Sequence, residues 1–190
     1  FGGRGGDGAK LSSAQRIVSG IAQGARGQAI LKNSTTRLII YSDTNTSGNR
    51  EKLLRFFGIV YAAPNQPDAN NPTIWIAATQ GTYLPDGIYF NPELSSSNNW
   101  TISNTMSLEY PRQTPQTEGS GDQYYYYEFT KNGTMASGFD NNWLALQAGQ
   151  LIDSSGSPDF TDDATALLKT ALIFRRAGTT TPVNDPIDID

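Results

Sequence analysis

Between Ala14 and Ala29 apolar residues recur at three- and four-residue spacing, through Ile17, Val18, Ile21, Ala22 and Ala25. That period predicts an amphipathic helix over about residues 11–33, with Ser12 or Ser13 as its cap. Arg16, Ser19, Gln23 and Arg26 fall on the other side. Gly20, Gly24 and Gly27 each weaken the helix by about 1 kcal/mol relative to Ala. It therefore needs a surface to pack on, and the residues expected to make that contact are Ala14, Ile17, Val18, Ile21, Ala25 and Ala29. Ile21 stands centrally in this stripe, so its truncation to Ala is expected to cost about 2–5 kcal/mol.

After Asn33 the period shortens. Runs rich in β-branched and aromatic residues predict strands at 35–41, 54–62, 73–78, 87–90, 124–130, 143–148 and 172–176. The segments "DTNTSGN", "PNQPDANNP", "LPDG" and "KNG" supply turn chemistry between them. Residues 161–170, "TDDATALLKT", read as a short helix capped by Thr161 with Asp162 and Asp163 in its first turn. Five glycines make residues 1–10 a flexible lead-in, and the tail 177–190 reads as extended or loose. One helix followed by mostly antiparallel strands is an α+β plan: a single domain over 11–190, β-rich from 35 to 176.

Composition narrows the chemistry. A chain of 190 residues can bury a sizeable core. A net charge of -4, from 14 basic and 18 acidic residues, argues against nucleic acid as the main partner. There is no cysteine and no histidine. Disulfides, thiolate metal sites, a cysteine nucleophile, the usual serine-activating base and the commonest zinc ligand are thereby excluded. No cofactor is implied, and no apolar run reaches the ~18 residues of a membrane helix.

The motifs that remain have plain readings beside their chemical ones. Gly3, Gly5 and Gly8 spell G-x-G-x-x-G, but no strand precedes them, as a dinucleotide site requires. Asp43, Asn45 and Ser47 stand at alternating positions, as in a calcium loop. The twelfth position is Leu54 in place of a bidentate Glu, which leaves a turn or a weak calcium site. Tyr124 to Tyr127 send alternate rings to opposite faces of a strand, one pair inward. Tyr125 and Tyr126 are candidates for a ligand or subunit interface. Arg175 and Arg176 read first as a solvated strand end, with DNA contact as the alternative. Asp162 and Asp163 are neighbours that do not face each other on a helix, and so make no acid–base pair.

Three local patterns carry a family resemblance. "ARGQAILKN", 25–33, leads a helix into a strand; "YLPDGIYF", 83–90, opens another strand; "YEFTKNGTMAS", 127–137, forms a hairpin. In this order they resemble the soluble domains of type IV pilin-like proteins, most of all the H-class minor pseudopilins of type II secretion and FimT-like minor pilins. The resemblance implies a pilin-like fold and a non-enzymatic filament subunit. It implies assembly with other pilin or pseudopilin subunits through the N-terminal helix. It also implies an upstream apolar helix that holds an inner-membrane precursor with a periplasmic head, later part of a periplasmic pseudopilus or an extracellular pilus. An adhesin-like pilin that binds glycan is the alternative.

Overall fold

The computed structural model describes residues 3–45, 49–92, 94, 104–151, 158–160 and 168–189. Its fold is α+β: one long helix packed on antiparallel sheets. Helix α1 runs Gly3–Lys32. Strands β1 (Thr36–Tyr41), β2 (Phe56–Ala62), β3 (Ile74–Ala77), β4 (Thr82–Tyr83), β6 (Thr105–Leu108), β7 (Gln116–Thr117) and β8 (Asp122–Phe129) form the larger sheet. Its order is β6-β8-β1-β2-β3-β7, with β4 also on β2. Strands β5 (Ile88–Phe90), β9 (Trp143–Ala148), β12 (Lys169–Phe174) and β13 (Thr180–Val183) form the second sheet, ordered β13-β12-β9-β5. A short ribbon pairs β10 (Gln150–Leu151) with β11 (Pro158–Asp159).

Leu11, Ala14, Val18, Ala22, Ala25 and Ala29 are the buried residues of α1. Their spacing follows one line of a 3.6-residue helix, and they share a core with Leu38, Ile40, Phe57 and Ile59 of the first sheet and Leu144, Leu172 and Phe174 of the second. Ile17 and Ile21 lie one residue off that line and are only partly buried. The centre of the stripe is therefore Val18–Ala22, and the large cost expected at Ile21 moves to Val18. Val18→Ala should cost about 2 kcal/mol and Ile21→Ala about 1 kcal/mol. Denaturant midpoints of the two variants check the order.

The helix ends in a Schellman motif. Asn33, at φ 48°, takes the left-handed conformation that asparagine tolerates. Its N–H donates to Ile30 O (3.2 Å), and the Ser34 N–H donates to Ala29 O (3.1 Å). The Ser34 hydroxyl then donates to Ala62 O (2.6 Å), which fixes the turn to the end of β2. This is how the chain passes from helix to central strand in three residues.

Three expectations are corrected. The glycine-rich start is helical from Gly3, because a helix already nucleated on the sheets extends by one hydrogen bond per residue. Leu168 is non-helical, and Lys169 and Thr170 belong to β12, where Thr170 pairs with Leu146 and is buried; residues 161–167 of the expected helix lie outside the described residues. The tail is not loose: β13 pairs with β12, and Ile189 is wholly buried.

Candidate functional site: the exposed helix stripe and the Arg37 cluster

Helix α1 is held by more than its apolar line. Gln15 Nε2 donates to Thr170 Oγ1 (2.7 Å) and Ala171 O (3.0 Å), and the Ser19 and Thr180 hydroxyls lie 3.0 Å apart. Ser19 thus faces β13 and not solvent. Arg26 is half-buried and packs over the turns at Gly133 and Gly178. What stays exposed is a second line, Ser13, Arg16, Gly20, Gln23, Gly27 and Leu31. Leu31 is 74% exposed and Ile30 53%, the most exposed large apolar side chains among the described residues. The helix therefore docks along one line and presents a parallel, lightly charged one.

The face of the larger sheet away from α1 has its own core of Ile39, Tyr41, Val60, Trp75, Leu108 and Tyr124. Both faces being covered, all six residues of β1 are buried. Tyr110 lies against the bare backbone of Gly58, where a Cβ would overlap its hydroxyl; that hydroxyl donates to Thr79 O (2.7 Å). The edges β6 and β7 also meet: the Gly119 N–H donates to Ser107 O, and the Gln116 side chain bonds both backbone groups of Glu109.

Within this layer sits the one strongly charged group of β1. Arg37 is 7% exposed. Its guanidinium lies 3.8 Å from the Tyr126 ring centroid and 4.2 Å from that of Trp75. It also donates to Glu118 Oε1 (2.7 Å) and Glu128 Oε1 (2.9 Å). The sequence hint was a lone cation in an otherwise apolar strand, "TRLIIY", but its partners come from β8 and the segment just after β7.

The tyrosine run alternates as expected: Tyr124 and Tyr126 lie on the far face with Tyr41 and Ile39, and Tyr125 and Tyr127 on the helix face with Ile40 and Leu38. Neither pair is an open platform. Tyr124 and Tyr127 are buried, and the Tyr127 hydroxyl donates to Trp143 O (2.8 Å). Tyr125 is half-buried against the main core, and Tyr126 is engaged by Arg37 and Phe139. Burial raises the pKa of Tyr110, Tyr124, Tyr126 and Tyr127.

At the candidate calcium turn, Asp43 Oδ1 accepts from the Asn45 N–H (2.8 Å) and Oδ2 from the Gln123 N–H (3.1 Å). Both oxygens thus serve the backbone, as in an Asx turn. Ser47 lies outside the described residues. Among those described, no group of three or more acidic residues could hold a metal. Arg175 and Arg176 are exposed in the turn between β12 and β13, and Arg175 Nε donates to Thr181 Oγ1 (3.0 Å). Among the described residues, none of these candidate sets is brought together with another.

No protein-family model matches the chain, and no curated protein matches it. Among solved structures it is similar to the minor pseudopilin EpsH from the type 2 secretion system of Vibrio cholerae. The identity is 12%, the TM-score 0.39, and the match covers 92% of this chain and 93% of that one. At that distance the assembly and partners of EpsH are not transferred to this chain.

Proposed function

We propose that this chain is a non-enzymatic structural subunit, the head of a minor pilin or pseudopilin in a type IV pilus or type II secretion pseudopilus. The observation that carries the reading is α1 itself: it docks along the Ala14–Ala29 line and leaves the Arg16–Gln23–Leu31 line exposed along its length. A helix so divided holds its head with one face and meets neighbouring subunits with the other. The three resemblance patterns support it by falling on the parts that build this arrangement. The first ends at the Asn33 motif, the second leads into β5, and the third forms the turn whose Gly133 lies against Ile30 and Arg26. Among the described residues no helix is long and apolar enough to cross a membrane.

The chain has no cysteine, so a single introduced thiol is a clean reporter. Gln23→Cys, in the full-length gene product in its own cells, should cross-link to another filament subunit. Ala22→Cys, facing the core, should not. A Gln23→Cys protein that stays monomeric when treated with a thiol-to-amine cross-linker overturns the proposal.

A further inference from the structure

A cleft of about 560 Å³ opens where α1 ends, walled by the Asn33–Thr35 turn, Tyr61 and the 63–72 loop. The loop is built as a rigid wall. Gln66 Nε2 donates to Ala63 O and Ile74 O (both 2.9 Å), while its Oε1 accepts from the Thr73 and Ile74 N–H groups (2.8 and 2.7 Å). Every hydrogen-bonding site of that side chain is thus spent on holding the loop in place. The cleft is lined by Lys32 and Lys131 and by no carboxylate, on a chain whose net charge is -4. Asp68, in the same loop, turns its carboxylate to the Asn70 and Asn71 N–H groups and does not line the cleft. The Lys32 ammonium is held 5.2 Å from the Tyr61 ring centroid.

From this we propose that the cleft binds an acidic saccharide. The volume is that of a small-ligand site, within the range of about 300–1,000 Å³. Two ammoniums with no opposing acid select a negative ligand. The Asn33 and Asn65 amides offer paired donors and acceptors to hydroxyl groups. The Pro64 ring offers apolar surface to the C–H groups of a sugar. The inference stands apart from the filament reading, which concerns the helix face.

Titration calorimetry on the intact domain with a galacturonic acid dimer, against the neutral galactose dimer, tests it. The acidic dimer should bind, the neutral one at least about tenfold more weakly, and Lys131→Ala and Lys32→Ala should each weaken binding by about tenfold. Affinity should fall with added salt. Lys131 is exposed in a turn, so its loss leaves the fold intact, and unchanged thermal melting verifies this. No binding at millimolar ligand, equal binding of the two dimers, or binding indifferent to both lysine changes overturns the proposal. An aspartate peptide that binds as tightly as the acidic dimer overturns the saccharide assignment.

Discussion

Arg37→Met should cost about 3 kcal/mol of unfolding free energy. The methionine fills the space between Trp75 and Tyr126, so little packing is lost, but Glu118 and Glu128 are left facing each other without their cation. Removing one partner of a fully buried pair costs about 3–5 kcal/mol. The lower end applies because the two carboxylate side chains retain 32% and 22% exposure. The triple change Arg37→Met, Glu118→Gln, Glu128→Gln should recover most of the loss. Arg37→Lys should recover little, because an ammonium cannot stack flat between two rings while donating to both acids. Urea denaturation of the four proteins checks this. A loss under about 1 kcal/mol for the single change would mean that solvent already screens the cluster.

Alkaline pH should unfold the protein sharply, and earlier than deprotonation of lysine alone would. Burial raises the pKa of Tyr124 and Tyr127 far above the usual phenol value of about 10. The unfolded chain therefore loses these protons first as pH rises. Stability from the two rings is whole below about pH 10 and is lost progressively above it, at about 1.4 kcal/mol per pH unit for each ring. Together they should remove about 3 kcal/mol by about pH 11. Tyr110 and Tyr126 act in the same direction. Phenolate absorbance should rise together with loss of the far-ultraviolet sheet signal. Tyr124→Phe and Tyr127→Phe variants whose stability falls with alkaline pH as steeply as that of the unaltered protein would show that these rings do not drive the transition.

The helix and strands β1, β2, β3, β5, β8, β9 and β12 were legible because each carries an apolar or aromatic run of three or more residues. Strands β4 and β7, with two residues each, carry no period at all. Strand β6 lies just beyond an Asn- and Ser-rich stretch; only the alternation of Met106 and Leu108 marks it. The tail failed for a different reason. Pro182 and three aspartates look like an extended coil, yet an edge strand tolerates proline when only one side must pair. In the helix stripe Ala14, Val18, Ala25 and Ala29 are buried as the period required, while Ile17 and Ile21 sit at its margin and are only partly buried. The Arg37 cluster could not be read, because Glu118 and Glu128 stand 81 and 91 residues away in sequence.

The same long separations govern how the chain acquires its shape. Strand β1 is the first strand made, yet it lies between β2 and β8, and β8 begins only at Asp122. The helix rests on β12, so Gln15 waits for a hydrogen-bond partner 155 residues downstream. A chain emerging from the ribosome N-terminus first thus carries an undocked, glycine-weakened helix and a half-paired central strand until nearly all of it has been synthesised. Contacts so distant in sequence favour slow folding, with β8, β9 and β12 closing the core around a strand and helix made well before them.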